Sequence, residues 1–232
     1  MNSADNILFH ELVRVINRYR NEPHVEIEMR LGWKPHAGNP FQTNIGKSYL
    51  KTIMAKLHES PPLEIVSEQE MTNVYTHKNV RMIADADGVV TSAHRKRRLE
   101  MIDFVLPGTP FDVRLSVCVE HPVNAITTVP DGSVLVRKRF RDSYQYKMWR
   151  YEATRCVSQK PFDEYTDNTE SHEFELELDI KRAEGHNTTY LANSAVLKIR
   201  DLVTMNDCEK IDLKSIKLCD RRTYNNNPKQ SQ

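Results

Sequence analysis

The run Glu173-Phe174-Glu175-Leu176-Glu177-Leu178-Asp179 places a carboxylate on every second residue, with Phe174, Leu176, Leu178 and Ile180 in the alternate positions. Period-two alternation marks a strand, because successive side chains point to opposite faces. The polar face is what constrains the fold. Alternate carboxylates stand about 7 Å apart and repel one another unless a cation is fixed nearby. Other stretches carry both signs in the same rhythm. In residues 25–31 the odd positions are apolar and the even ones are Glu26, Glu28 and Arg30; in 113–120 the even face carries Arg114, Ser116 and Glu120. In 134–140, Leu135, Arg137 and Arg139 share one face and Val136, Lys138 and Phe140 the other, and Arg150, Glu152 and Thr154 share a face further on.

A solvated sheet would account for any one of these strands, with cross-strand ion pairs contributing a few tenths of a kcal/mol each. Segregation of Glu on some strands and Arg on others points instead to a closed barrel with the charged face inside. The expected fold is α+β dominated by β: a closed antiparallel eight-stranded barrel with flanking helices. Such a barrel is just wide enough for side chains of opposite walls to meet around a small ligand. The expected inward acids are Glu26, Glu28, Glu120, Glu152, Glu173, Glu175 and Glu177. The expected inward bases are Arg30, Arg81, Arg114, Arg137, Arg139, Arg150 and one of the run Lys96 to Arg98. Desolvating each ion costs several kcal/mol, so the cluster reads as a binding device: a divalent metal on the carboxylates and a polyphosphate on the arginines. Carboxylate ligands without His or Cys select Mg²⁺ or Mn²⁺ over zinc. None of the 9 histidines is expected on these faces, and His172 is read as a neighbour on the face opposite Glu173 or a strand-entry residue rather than a ligand.

Three helices are predicted. Leu8, Leu12, Val15, Ile16 and Tyr19 form an apolar stripe over 6–20, and Ile45, Tyr49, Leu50, Ile53 and Leu57 form one over 44–59, ended by Pro61-Pro62. Leu191, Val196, Ile199 and Leu202 mark a third helix over 189–205. Asp87-Gly88, Pro107-Gly108 and Asp131-Gly132 mark turns between strands. A hydrophobic content of 39% supports a packed domain over 1–221, with 222–232 a polar tail or linker. Because 33 Lys plus Arg balance 32 Asp plus Glu, any charge-driven function must come from local arrangement. No apolar run approaches the ~20 residues of a membrane span and the start lacks a signal pattern, so a soluble, unexported chain is expected. Cys118, Cys156, Cys208 and Cys219 form no CxxC pair, which fits an intracellular reducing compartment. Gly46-Lys47-Ser48 is not a phosphate-binding loop, since Phe41 stands where its first glycine belongs. In an unexported chain the sequon Asn187-Thr188-Thr189 has no expected use.

Taken together in order, Glu-Ile-Glu-Met-Arg at 26–30, Arg-Leu-Ser-Val-Cys-Val-Glu at 114–120, Val-Arg-Lys-Arg at 136–139 with Arg-Tyr-Glu-Ala-Thr at 150–154, and Glu-Phe-Glu-Leu-Glu at 173–177 resemble the metal-dependent RNA triphosphatases of mRNA capping in fungi and large DNA viruses. These are members of the triphosphate tunnel metalloenzymes. The resemblance implies that Glu26, Glu28 and Glu177 ligate the metal and that Glu120 and Glu175 position or deprotonate the attacking water. It assigns Arg81, Arg137 and Arg139 to the γ-phosphate, with Lys96 or Arg97 helping from the opposite wall. Arg114, Arg150, Glu152, Thr154 and Glu173 would brace the tunnel, Arg114 and Arg150 also counting as candidate phosphate contacts, with Arg30 and Ser116 in support. Leu135 stands where the fungal pattern has another basic residue, and Arg30 replaces a lysine common in the superfamily.

The implied reaction is removal of the terminal phosphate of 5′-triphosphate RNA, with nucleoside triphosphates as side substrates. The order of motifs and the N-terminal helix resemble the first domain of a large-virus capping enzyme, in which the tail would lead into a guanylyltransferase domain. Expected locations are a viral factory, virion or cytoplasm for a viral source and the nucleus for a cellular one, with no membrane association. The alternatives are another tunnel activity, such as inorganic tripolyphosphatase, thiamine triphosphatase or adenylyl cyclase, and a non-catalytic RNA- or polyphosphate-binding barrel. The last predicts aromatic stacking platforms beside basic patches, where these strands carry glutamates.

Overall fold

Eight strands close on themselves in the computed structural model, which describes residues 3–35, 39–60, 62–106, 108–123, 126–158, 169–204 and 217–221. In chain order the elements are α1 (Ser3–Tyr19), β1 (Val25–Gly32), α2 (Lys47–His58), β2 (Glu64–His77), β3 (Val80–Ala84), β4 (Val90–Val105), β5 (Asp112–Pro122), β6 (Val134–Tyr146), β7 (Trp149–Ser158), β8 (Thr169–Leu178), α3 (Thr188–Val203) and β9 (Lys217–Arg221). The sheet runs β3-β2-β6-β7-β8-β1-β5-β4, and β4 pairs back with β3 to complete the ring. Every pairing is antiparallel. The long β4 serves two neighbours on one edge: its first residues pair with β3, and Ile102–Val105 pair with β9.

The apolar core lies outside this ring. The odd residues of β1 (Val25, Ile27, Met29, Leu31) and β5 (Val113, Leu115, Val117), with Phe174, Leu176 and Leu178 of β8, form one wall. Leu8, Leu12, Val15 and Ile16 of α1, Tyr49, Leu50 and Ile53 of α2, and Leu191, Ala195, Ile199 and Leu202 of α3 pack in the same cluster. The interior is thereby left to the alternate residues: even in β1 and β5, odd in β8. Helical spacing selects these stripes, and burial at about 25 cal/mol per Å² of apolar surface is what holds the helices to the wall. Polar contacts fix their seating. Arg14 of α1 is bonded to Glu11 at 2.7 Å and also to Glu100 of β4, and Tyr49 donates to the Leu202 carbonyl at 2.8 Å. Thr188 at the start of α3 donates to Asn17 of α1 at 2.6 Å.

The predicted helices are present with shifted ends. α1 starts at Ser3, and α2 starts at Lys47 because Asn44 and Ile45 are tied to β8: His172 N–H donates to Asn44 Oδ1 at 3.0 Å, and Ile45 N–H to the His172 carbonyl at 2.8 Å. Gly46, at φ 81, makes the turn into the helix. Asn187 is the N-cap of α3, its side chain accepting from Thr189 N–H at 2.7 Å, which gives the sequon a structural use. Cys118 and Cys156 are free and buried. Among the described residues no helix is long and apolar enough to cross a membrane. The tail 222–232, Met205 at the expected end of the third helix, and Cys208 lie outside the described residues.

At the end of β1, Gly32 faces the carbonyl of Gln42 and the Phe41 ring so closely that a Cβ would collide with both. The Trp33–Gln42 bridge that creates this approach is closed by N–H···O bonds of 2.9 Å each way. Gly32→Ala is expected to cost about 1–3 kcal/mol through overpacking, read as a lowered midpoint in urea unfolding; an unchanged midpoint would show that this approach is not required.

Candidate active site

Register places the ionised residues on one inner surface. β1 and β8 set Glu28 opposite Glu177 and Arg30 opposite Glu175; β7 and β8 set Glu152 opposite Glu175, Thr154 opposite Glu173 and Arg150 opposite Glu177. β4 and β5 set Lys96 opposite Glu120. The result is a cavity of about 110 Å³ lined by Glu26, Glu28, Arg30, Arg81, Ile83, His94, Lys96, Glu120, Arg137, Arg139, Arg141, Glu152, Glu175 and Glu177.

Most of these charges are matched. Arg30 reaches Glu28 (3.1 Å), Glu175 (2.9 Å) and Glu173 (3.9 Å). Lys96 Nζ donates to Glu26 at 2.6 Å and lies 2.9 Å from Glu120. Arg141 pairs with Glu152 and lies 3.7 Å from Glu175. Burial opposes ionisation of Glu175, yet Arg30, Arg141 and Arg137 outweigh it and hold the carboxyl at about 2. Glu120 is likewise held at about 2 against burial, by His94 and Lys96.

Two groups are left over. Glu177 makes no ion pair among the described residues; burial, together with Glu152 and Glu26, pushes its carboxyl up to about 8. Glu26 is also raised, by burial and then by Glu120 and Glu28 acting against Lys96. Opposite in sign is Arg139, only 5% exposed, whose Nε donates to Thr72 Oγ1 at 3.2 Å and which has no carboxylate within ion-pair distance among the described residues. Burial and the neighbouring Arg141, Arg81 and Arg137 lower its guanidinium to about 10. Arg81 is lowered by burial and Arg137 as well. Among the described residues the cavity therefore holds a carboxyl without an ion-pair partner at Glu177 and a guanidinium without one at Arg139.

Among the described residues no three His, Cys, Asp or Glu side chains converge into a ready coordination group; Lys96 holds Glu26 and Arg30 holds Glu28. The donor set nevertheless fits a hard divalent cation. Glu26, Glu28 and Glu177 offer only carboxylate oxygens, and among the described residues Glu177 has no ion-pair partner.

Of the residues singled out in the sequence, Glu26, Glu28, Arg30, Arg81, Lys96, Glu120, Arg137, Arg139, Glu152, Glu175 and Glu177 are brought together on the cavity. Glu173 sits just behind them, 3.8 Å from Arg137. Thr154 accepts from Arg141 at 3.0 Å, and Ser116 is buried opposite Glu28. Arg114 lies apart, in a two-point bond to Asp103 (2.7 and 3.0 Å) with its guanidinium 4.5 Å over the Phe41 ring. Arg150 is also off the cavity, its Nε buried without a hydrogen-bond partner among the described residues. Arg97 is exposed, in register with Val119 on the outer wall. His172 pairs in register with Arg155, on the face opposite Glu173.

One expectation is corrected: a histidine does face the interior. His94 lies two residues before Lys96 and so shares its face, with Nε2 2.9 Å from Glu120 Oε2. Its parity was hidden by a bulge between Arg98 and Glu100, beyond which Met101 and Asp103 take the inward positions and Glu100 turns out toward Arg14. Arg141 was missed although it continues the alternation of Arg137 and Arg139 by one step. Ile83 carries no charge and gave no signal.

A family model described as "mRNA capping enzyme, beta chain" matches residues 42–204. The mRNA-capping enzyme subunit beta of Cryptococcus neoformans is 34% identical over 106 residues, 45% of this chain and 25% of that protein. The chain thus spans about a quarter of the length of the curated relative it matches. The S. pombe Pct1 RNA triphosphatase, solved in complex with the Spt5 CTD, superposes with a TM-score of 0.67 at 19% identity, covering 88% of this chain and 93% of that one. The RNA triphosphatase domain of the mimivirus capping enzyme gives 0.52 at 12% identity, over 84% and 95%. At these identities the two structures share the fold.

Proposed function

The chain belongs to the family of mRNA capping enzyme beta chains, and from that premise we propose that it hydrolyses the γ-phosphate of 5′-triphosphate RNA, leaving a 5′-diphosphate end and inorganic phosphate. The observation that carries this reading is the split of unmatched charge: a buried carboxyl short of a cation at Glu177, and a buried guanidinium short of an anion at Arg139, on one cavity. A triphosphate with its metal supplies both.

Arg139, Arg81 and Arg137 take the γ-phosphate oxygens and neutralise charge that builds on them as the β–γ bridge breaks. Glu120 and Glu175 are ionised at neutral pH, and carboxylates held at about 2 are weak bases. They orient the attacking water by accepting its hydrogen bonds, which suffices for a loose phosphoryl transition state. The proton released passes to solvent with the phosphate product. Glu26, Glu28 and Glu177 hold a divalent ion, Mg²⁺ or Mn²⁺ by donor hardness, which supplies Lewis-acid charge when bound. Arg30 and Arg141 keep the acidic wall in place. Nucleoside triphosphates serve as side substrates because these contacts read phosphate rather than base. The functional partner is an RNA guanylyltransferase, which consumes the diphosphate end.

The test is release of labelled phosphate from γ-labelled 5′-triphosphate RNA. Release that requires Mg²⁺ or Mn²⁺, stops with EDTA and leaves the β-phosphate on RNA is expected. Hydrolysis of tripolyphosphate without any release from RNA would replace the substrate, and metal-independent release would overturn the role of the acidic wall.

A further inference from the structure

A second cavity, of about 380 Å³, adjoins the charged one at the barrel end where β1 and β4 begin and β5 finishes. His94 and Glu120 line both spaces, so the two meet at that pair. The lining differs in kind. Val90, Val123 and Ile126 give an apolar wall, His24 an imidazole and Ser92 an exposed hydroxyl.

The wall is built in rather than draped over. Val123 N–H donates to the Ala93 carbonyl at 2.8 Å, Val90 N–H donates to the Thr127 carbonyl at 3.1 Å, and Val123 and Ile126 pack on Val80, Met82 and Ala93. The His24 carbonyl accepts from Glu120 N–H at 3.0 Å, and its ring meets His121 edge to face at 6.3 Å.

At about 110 Å³ the charged cavity has room for phosphate groups and metal. Its neighbour falls in the size range of small-ligand pockets and has their mixed lining, apolar with a few polar groups. A 5′-triphosphate end has the same two-part character: a polyanion joined to a ribose and a flat base. We propose that this vestibule receives the first nucleoside of the substrate, so that the 5′ end enters through this mouth with its γ-phosphate foremost. This deepens the triphosphatase reading and rests on it for the identity of the tunnel ligand.

The experiment compares affinities for adenosine 5′-(β,γ-imido)triphosphate and for tripolyphosphate, by calorimetry, in the wild-type chain and in Ser92→Trp, which fills the vestibule from its exposed side. Contacts with the nucleoside that add about 1.4 kcal/mol raise affinity tenfold. The wild type is expected to bind the nucleotide at least about tenfold more tightly than tripolyphosphate, and Ser92→Trp to erase that preference while leaving tripolyphosphate affinity unchanged. Ile126→Ala, which strips the apolar wall instead of filling it, should weaken nucleotide binding alone and serves if the tryptophan variant fails to fold. Equal loss for both ligands, or a nucleotide preference that survives both variants, would overturn the proposal. Failure of the triphosphatase reading is seen separately, as nucleotide preference without phosphate release from RNA.

Discussion

Glu177→Gln will lower metal-dependent γ-phosphate release by about a thousandfold, and the same variant will be more stable than the parent in EDTA at alkaline pH. The activity loss follows from removing one carboxylate of a three-carboxylate site, whose charge on the phosphoryl group is worth several kcal/mol. The gain in stability follows from linkage. The native carboxyl is raised to about 8 from an ordinary 4.5, so between those values the folded chain keeps a proton that the unfolded chain has released. The contribution of this group to stability therefore falls as pH rises through that window and is lowest above pH 8. Glutamine cannot ionise and escapes the loss. Thermal melts of both chains in EDTA should diverge at pH 9 and converge near pH 4, and added Mn²⁺ should raise the parent's midpoint more than the variant's. A variant that is inactive and also less stable at pH 9 would mean that Glu177 braces the barrel rather than holding a cation.

The mirror-image experiment is on the cationic side. Arg139→Gln is expected to reduce kcat/KM for triphosphate RNA by about 10²–10³-fold, the cost of removing one preorganised donor from developing charge, with stability unchanged or improved. Arg139 has no carboxylate partner to abandon among the described residues, and it sits beside Arg81, Arg137 and Arg141, which repel it. Arg141→Gln should behave in the opposite way. That substitution strips the partner of Glu152, buried at 5% exposure, and of Glu175 at 5%. Breaking a buried pair from one side costs about 3–5 kcal/mol. Urea unfolding separates the two arginines: equal destabilisation by both would assign Arg139 to the frame of the barrel and remove it from the phosphate site.

The contrast between these neighbours bears on how far the sequence can be read. Arg137, Arg139 and Arg141 are equivalent by alternation, and all three line the cavity. Only the strands on either side of β6 and the one beyond β7 distinguish them. β7 and β8 bring Glu152 and Glu175 to Arg141, whereas β2 offers Arg139 a threonine. Arg114 makes the same point from the other side. It lies on the inner face of β5, opposite Arg30, but near the strand's start, where Asp103 and Lys34 have closed a local network around it. Alternation gives the face of a residue and says nothing of its height along the barrel axis.

Within a strand, parity follows from covalent geometry, so the segregation of Glu26, Glu28, Glu175 and Glu177 from their apolar neighbours, and with it a barrel charged inside and apolar outside, was determined by the sequence alone. The helical stripes that cover that outside were equally local. Tertiary structure decided what depends on register. The bulge after Arg98 turned His94 and Lys96 inward and Glu100 out to Arg14. The pairing of β1 with β8 set Glu28 against Glu177, and the closure of β4 on β3 brought Arg81 opposite His94. A shift of one residue in any of these pairings would turn the charged face outward and the apolar face into the barrel, and that choice is made by contacts between strands distant in sequence.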